Sequence, residues 1–188
     1  MAITDITIPR RVAIIQSNLG SEDKVLEIGC KEGRLTHHLE AKEIIGVDID
    51  EKAIVEAKEK EKRPNVKFLV GDAYDLKFSN EEFDVVIMGD IIEHLYNGNK
   101  ALSEANRVLK KGGKLLVSCP YHGMLKNIVI TFYNYDRHYD VEGEHIRFFT
   151  VKSLTRLLKK NGFRVNKKHF IGRAPFLWRS MLFVCVKG

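Results

Sequence analysis

Residues 25–34 read VLEIGCKEGR, an apolar run that stops abruptly at Gly29 and is soon followed by a second glycine, Gly33. A glycine at the end of a strand lets a ligand approach the backbone, because no side chain stands in the way. The second glycine allows a helix to begin close by, with free N–H groups directed at the same place. This stretch therefore predicts a strand, a glycine turn and a helix, an arrangement that is typical of nucleotide-binding folds.

The rest of the chain alternates short apolar runs with helix-like segments, which is the pattern of a parallel sheet covered on both faces. Strands are predicted at Lys24–Ile28, Ile44–Val47, Val66–Val70, Val85–Met88 and Leu115–Ser118. Helices are predicted in the gaps between them, and in particular at Val12–Leu19, from Asp50 as N-cap to Lys62, from Asn99 to the turn at residues 110–113, and at Val151–Lys160. Two final β-rich runs, Phe163–Phe170 and Leu177–Val186, have no helix between them. The predicted fold class is α/β, a doubly wound, mostly parallel seven-stranded sheet with a C-terminal antiparallel hairpin.

The length of 188 residues fits a single domain, 1–188. Residues 121–149 are rich in aromatic side chains and histidine without a clean period, which predicts a lid or substrate-binding insertion. No apolar run approaches the roughly 18 residues of a membrane span, and the first residues lack the apolar core of a signal peptide. We therefore expect a cytoplasmic protein without a membrane partner. Its oligomeric state has no signature in the sequence.

Charge is distributed unevenly along the chain. Residues 1–100 hold 14 Lys+Arg and 20 Asp+Glu (14 − 20 = −6), whereas residues 101–188 hold 17 and 5 (17 − 5 = +12). If the second half carries the substrate side, an anionic small-molecule acceptor is favoured. The alternative is that the basic residues of 152–160 form the solvated face of one helix. Nucleic acid binding stays open, although no recognised motif supports it.

Acidic side chains follow the second and third predicted strands. Asp48 ends IIGVD, 19 residues after Gly29, and a carboxylate there can accept hydrogen bonds from both hydroxyls of a ribose. Asp72, in the turn Gly71-Asp72-Ala73, can accept from an adenine amino group. Because Asp50 is the better placed N-cap, Asp48 is expected to be free for a ligand. The spacing after the first strand is GxxxG rather than GxGxxG, with Lys31 at the second glycine position, and this counts against a nicotinamide dinucleotide.

These segments together resemble the class I S-adenosylmethionine-dependent methyltransferases over nearly the whole chain. VLEIGCKEGRLT is similar to the first motif of that family, IIGVDID to its second-strand acid, GDAYDL to its adenine-side turn, FDVVIMGDIIEHL to its fourth strand and following helix, and LKKGGKLLVSCP to its fifth strand. The resemblance implies a Rossmann-like methyltransferase fold with S-adenosyl-L-methionine as cofactor. It also implies that the enzyme methylates an O or N nucleophile of a small-molecule acceptor.

The same resemblance assigns residues to the cofactor. Glu27 and Gly29 would face its methionine part, Asp48 its ribose, and Asp72 with Ala73 its adenine. The full predicted cofactor-binding set is Glu27, Gly29, Cys30, Gly33, Asp48, Ile49, Asp72, Ala73 and Asp90. Lys31 departs from the glycine that the family usually has there; if this residue needs a positive φ, lysine costs on the order of 1 kcal/mol.

An O–H or N–H nucleophile can need a base, and the candidates are His94, His122, His138 and His145. Of these, proton transfer from the acceptor is assigned to His94 and His145; the alternative is that a histidine in a loop is structural or solvated. On a predicted helix, the segment DIIEH at 90–94 would also place Asp90, Glu93 and His94 on one face. With His145, this set is similar to the Glu-x-x-Glu-His plus distant His arrangement of metal-assisted O-methyltransferases. Because aspartate replaces the first glutamate and is shorter, we predict no metal and keep the ion-binding set as an alternative.

Two other functions fit the predicted fold. The first is a nicotinamide-dependent oxidoreductase, which the GxxxG spacing and Asp72 disfavour. The second is a non-catalytic cofactor-binding scaffold, in which Lys31 would mark a degraded site and the basic second half would engage a partner. Retention of the acids Glu27, Asp48 and Asp72 argues against degradation.

Overall fold

The computed structural model describes residues 7–133, 146–172 and 178–188. Within these ranges the chain forms one seven-stranded sheet. Its strands are β1 (Lys24–Ile28), β2 (Glu43–Asp48), β3 (Val66–Val70), β4 (Phe83–Gly89), β5 (Leu109–Pro120), β6 (Phe163–Ile171) and β7 (Ser180–Lys187). They are ordered β3-β2-β1-β4-β5-β7-β6, with β1 to β5 parallel and β7 antiparallel to both of its neighbours. The predicted doubly wound sheet with a C-terminal hairpin is confirmed.

The described helices are α1 (Thr7–Gln16), α2 (Glu51–Lys60), α3 (Gly98–Val108), α4 (Met124–Tyr133) and α5 (Val151–Lys160). Asp50 caps α2 as predicted, because its side chain accepts the backbone N–H groups of Lys52 and Ala53. α5 has its predicted bounds and ends before Gly162, whose φ of 82° favours glycine. The basic residues Lys152, Arg156, Lys159 and Lys160 are exposed, which agrees with a solvated helix face.

The helix predicted after β1 does not form. Residues 31–35 turn instead, and only one 3-10 turn, Thr36–His38, follows before β2. Lys31 and Gly33 both have positive φ, 47° and 79°, and two such residues interrupt an α-helical run. The gap between β3 and β4 likewise holds turns rather than a helix. The first helix begins and ends earlier than predicted, at residues 7–16 instead of 12–19.

The segment DIIEH after β4 is not helical either. Asp90 has a φ of 51°, and the N–H of His94 donates to the carbonyl of Ile91 in a turn. α3 begins only at Gly98, with Asn97 as its N-cap. The prediction that Asp90, Glu93 and His94 share one face of a helix is therefore wrong.

The predicted end of the helix in residues 110–113 is also wrong. α3 ends at Val108, and β5 begins immediately at Leu109. The register between β4 and β5 shifts between Phe83 and Val85, so the chain around Gly112, with a φ of 72°, is accommodated within the strand. Gly112 and Gly113 therefore lie in an irregular strand rather than at the end of a helix.

The central strands β1, β2 and β4 are buried on both faces, as parallel strands usually are. Leu26 and Ile28 of β1 pack into a cluster with the apolar residues of α3 and α5, whereas Val25 packs with residues of α1 and α2 on the other face. Cys30, Cys119 and Cys185 are buried free thiols. Among the described residues, no helix is long and apolar enough to cross a membrane.

Candidate functional site

A cavity of about 340 Å³ opens beyond the carboxyl ends of β1, β4 and β5. In an open α/β sheet this crevice is where ligands bind. Two loops form much of its wall, the β1 loop (residues 29–35) and the β4 loop (residues 90–97). Five of the predicted site residues line the cavity: Glu27, Gly29, Cys30, Asp90 and His94.

Gly29 is where the two loops touch. Its φ is 78°, and a Cβ added there would lie 2.5 Å from Cδ1 of Ile91 in the β4 loop. Gly33 has a φ of 79°, and a Cβ there would lie 2.5 Å from Nε2 of His37. Each glycine is thus required both by backbone conformation and by space. The close approach that the sequence predicted at Gly29 is made by the protein's own β4 loop.

Lys31 adopts the left-handed conformation that its position usually reserves for glycine, with a φ of 47°. Its backbone N–H donates to Oδ2 of Asp48 over 2.8 Å, which helps to hold the strained turn. Strain of this kind costs on the order of 1 kcal/mol for a residue other than glycine.

Glu27 lies in β1 directly before the β1 loop and is only 2% exposed. The hydroxyl of Thr36 donates to its carboxylate. Burial raises the pKa of Glu27 to about 7, and the hydrogen bonds from Thr36 offset part of that rise. Glu27 is therefore a buried acid at the end of β1 whose burial is unfavourable, and Thr36 is its hydrogen-bond partner.

Asp48 lies at the end of β2 and is less free than predicted. Its Oδ2 accepts the N–H of Lys31, and its Oδ1 accepts the N–H of Asp50 over 3.0 Å. A carboxylate oxygen can accept more than one hydrogen bond, so both oxygens keep capacity for a ligand. The next residue, Ile49, is 72% exposed.

Asp72 and Ala73 follow β3 at the same edge of the sheet. Oδ1 of Asp72 accepts the N–H of Tyr74 over 2.8 Å, which fixes the turn, and Ala73 is buried. Neither residue lines the cavity, and neither do Gly33, Asp48 and Ile49. The predicted cofactor set thus divides into residues that line the cavity and residues that do not, namely Gly33 in the β1 loop and a group along the ends of β2 and β3. His145 lies outside the described residues.

Arg11 is a cavity residue that the sequence reasoning missed. Its guanidinium lies 2.6 Å from Oδ2 of Asp90, and its side chain is 7% exposed. Asp90 is held further by Ser118, whose hydroxyl donates to Oδ1 over 2.9 Å and whose carbonyl accepts the N–H of Asp90. The predicted helix began after Arg11, and a buried arginine has no sequence signature that separates it from a surface one. Arg179 also lines the cavity and was missed.

Glu93 also lines the cavity and is 1% exposed. Neither of its carboxylate oxygens has a hydrogen-bond partner among the described residues. Burial, followed by the charge of Asp90, raises the pKa of Glu93 to about 8, and its own backbone N–H, Arg11 and Lys31 offset part of the rise.

A metal is not supported by the described part of the site. Among the described residues, no group of three His, Cys, Asp or Glu side chains could hold an ion. The shared helix face on which the alternative rested is absent, and its fourth member, His145, lies outside the described ranges.

Comparison with known proteins places the chain in a family. A family model described as a methyltransferase domain matches residues 26–117. An uncharacterised protein of Methanocaldococcus jannaschii is 32% identical over 141 residues, which cover 74% of this chain and 63% of that protein. A protein of Mycolicibacterium smegmatis, named "Probable S-adenosylmethionine-dependent methyltransferase", is 33% identical over 75% of this chain and 52% of its own length. The chain thus spans little more than half of that relative.

A solved structure agrees with the fold. The crystal structure of a SAM-dependent methyltransferase from Methanosarcina mazei matches with a TM-score of 0.71 and 21% sequence identity. The match covers 93% of this chain and 96% of that chain. This fold agrees with the family that the family model and the sequence relatives indicate. The chain belongs to the class I S-adenosylmethionine-dependent methyltransferases.

Proposed function

We propose that this protein transfers a methyl group from S-adenosyl-L-methionine to an O or N nucleophile of a small-molecule acceptor. The observation that carries the proposal is the cavity beyond the carboxyl ends of β1 and β4, which is lined by the backbone at Gly29 and by the buried carboxyl groups of Glu27 and Glu93. A ligand that carries positively charged groups fits such a cavity. Bound there, the cofactor supplies an already activated methyl group on a sulfonium, so that alignment and exclusion of water are the main tasks left to the protein.

Three groups of residues would hold the cofactor. Glu27 and the backbone at Gly29 and Cys30 would take the methionine part, with Gly33 shaping the turn and Asp90 closing the cavity. Asp48 would accept the ribose hydroxyls, and Ile49 would cover the adenine. Asp72 and Ala73 would contact the adenine at the end of β3. The support is the chemistry of the donors, since carboxylates match hydroxyl, amino and ammonium groups.

His94 and His145 are proposed as bases for the acceptor. His94 is supported by its position in the cavity wall. His145 is supported by the sequence alone. Residues 121–149 are proposed to cover the acceptor within a single domain, 1–188, and the exposed apolar side chains of α4, such as Met124 and Phe132, support this because they offer a surface for an organic molecule.

The site argues against the two alternatives. A scaffold with a degraded site would gain stability by replacing Glu27 and Glu93, because buried carboxylates are costly to keep. A nicotinamide enzyme would need a second close approach of backbone to a pyrophosphate, and Lys31 occupies that position. The family assignment agrees with both arguments.

The proposal is tested by incubating the protein with methyl-labelled cofactor and fractions of metabolites and of RNA. We expect label to enter one class of small molecules, and expect Asp48→Ala to reduce that incorporation. Labelling of RNA alone would replace the small-molecule acceptor with a nucleic acid. No transfer to either pool, despite cofactor binding, would favour the scaffold.

A further inference from the structure

The carboxylate of Glu93 differs from the other acids of the cavity in having no partner. Glu27 accepts from Thr36, and Asp90 is paired with Arg11 and hydrogen-bonded by Ser118. Glu93 is 1% exposed, and among the described residues neither of its oxygens has a hydrogen-bond partner of ordinary geometry; its own backbone N–H lies near enough to lower its pKa, but no other residue donates to it. A buried polar group without a partner is costly, and such groups in native proteins call for an explanation.

The backbone keeps Glu93 in this position. Its carbonyl accepts the N–H groups of Ile146 at 3.2 Å and Arg147 at 3.1 Å, so two segments distant in sequence are joined at this residue. On its N-terminal side, the left-handed Asp90 is fixed by two hydrogen bonds to Ser118. These contacts fix the backbone on both sides of the Glu93 side chain.

The surroundings indicate what a partner must offer. Arg11 and Lys31 are close enough to affect the pKa of Glu93, but Arg11 is engaged with Asp90. A second anion beside Glu93 and Asp90 would be repelled, and an apolar ligand would leave the carboxyl without a partner. A ligand group that donates a hydrogen bond would satisfy it.

We propose that Glu93 is the acceptor-recognition residue, and that it selects acceptors which present a neutral hydroxyl or amine as hydrogen-bond donor. This inference rests on the proposed function and narrows it to the part of the cavity that recognises the acceptor. It also concerns the charge that we expect on the part of the acceptor that reacts. The basic second half favours an anionic molecule, whereas Glu93 requires that the nucleophile itself be uncharged.

Glu93 also gives the transferred proton a destination. The lone pair of the acceptor oxygen or nitrogen forms the bond to the methyl carbon, and the carbon–sulfur bond breaks with its electron pair remaining on sulfur. In this narrower form of the proposal the carboxylate of Glu93, rather than His94 or His145, takes the proton of the acceptor, so that one positive and one negative charge disappear together. A positive charge in the cavity favours the ionised carboxylate beforehand, because opposite charges within a few ångströms stabilise one another.

The test compares three probes of nearly equal shape, namely phenol, aniline and anisole, in binding to the protein saturated with sinefungin, a cofactor analogue that carries a charged amine in place of the sulfonium. Phenol and aniline carry a donor, whereas anisole is the methyl ether of phenol and carries none. By ligand-detected NMR we expect phenol, aniline or both to bind about tenfold or more tightly than anisole, since a hydrogen bond to a charged group is lost with anisole. The Glu93→Leu variant should lose that preference while keeping its affinity for adenosylhomocysteine.

Two further variants keep the result decisive. Glu93→Gln retains an acceptor oxygen but cannot take a proton, so it should keep part of the donor preference and fail to methylate phenol or aniline. Glu104→Gln, a carboxylate paired with Arg107 away from the cavity, should behave as the unaltered protein. Equal binding of phenol and anisole, an intact preference in Glu93→Leu, or no binding of any probe would overturn the inference. Failure to bind adenosylhomocysteine at all would instead count against the proposed function.

Discussion

The β1 loop and the β4 loop follow neighbouring strands and have similar backbone conformations, yet the buried glutamates beside them differ in their hydrogen bonding. Each contains a non-glycine residue with positive φ, Lys31 at 47° and Asp90 at 51°. Each stands beside a buried glutamate with a raised pKa. Glu27, at the β1 loop, is satisfied by Thr36, whereas Glu93, in the β4 loop, has no partner among the described residues. If Glu27 holds the cofactor and Glu93 the acceptor, as proposed, the cofactor side is organised within the protein and the acceptor side is completed by its ligand.

The largest expected effect comes from separating the loops where they touch. Gly29→Ala should destabilise the fold by about 2–4 kcal/mol, since it adds a clash with Ile91 to the cost of a left-handed alanine. Gly112→Ala is the matched control, because Gly112 also has positive φ, 72°, but nothing lies within 4 Å of its added Cβ. It should cost only about 1–2 kcal/mol. Urea unfolding of both variants measures the difference; equal losses would mean that the contact with Ile91 is unimportant.

The next effect concerns the β1 loop and its neighbour on β2. Asp48→Ala should weaken binding of adenosylhomocysteine by about 10- to 100-fold, since hydrogen bonds to a charged acceptor contribute roughly 1.5–3 kcal/mol. The control is Asp50→Ala, which removes the cap of α2 and should reduce stability by about 1 kcal/mol with little change in affinity. Calorimetric titration compares the two. An unchanged affinity in Asp48→Ala would remove this residue from the ribose site.

A third prediction compares the two glutamates through the pH dependence of stability. Both pKa values are raised above the ordinary 4.5, to about 7 for Glu27 and about 8 for Glu93. The folded state therefore binds more protons than the unfolded state above pH 4.5, and stability falls as pH rises until each acid is ionised in the folded state. Glutamine has no such proton to lose. The free energy of unfolding of Glu93→Gln, relative to that of the unaltered protein, should therefore increase by about 1–3 kcal/mol as pH rises from 5 to 9.

The relative free energy of unfolding of Glu27→Gln should increase by less over this pH range, and the increase should stop near pH 7. Thermal unfolding in buffers from pH 5 to pH 9 distinguishes the two curves. If Glu93→Gln gave the same offset at both ends of that range, Glu93 would not be an uncompensated acid.

The smallest effect is expected at Lys31. Lys31→Gly should relieve the left-handed strain but increase the flexibility of the unfolded chain, so the net gain should be at most about 1 kcal/mol. The backbone N–H that donates to Asp48 is retained. Affinity for adenosylhomocysteine should therefore stay equal or rise slightly. A marked loss of affinity would show that the lysine side chain itself contacts the ligand.

The sequence predicted those features that depend on local pattern. β1 and β3 have their predicted bounds because short apolar runs end at glycine or acid, and the Asp50 cap follows from its position before an amphipathic segment. The β4 loop was mispredicted because DIIEH has a helical pattern that tertiary hydrogen bonds between Asp90 and Ser118 override. The burial of Arg11 depends on the same distant partner. That Glu93 has no partner is a property of the assembled cavity, which no spacing along the chain could reveal.

We propose that the cavity between the β1 and β4 loops takes S-adenosylmethionine rather than a nicotinamide dinucleotide. Calorimetric titration of the unaltered protein with adenosylhomocysteine and, separately, with NAD tests it most directly. We predict saturable binding of adenosylhomocysteine, accompanied by a higher unfolding temperature because only the native state binds, and no heat of binding with NAD. Binding of NAD, or the absence of any binding of adenosylhomocysteine, would contradict the account.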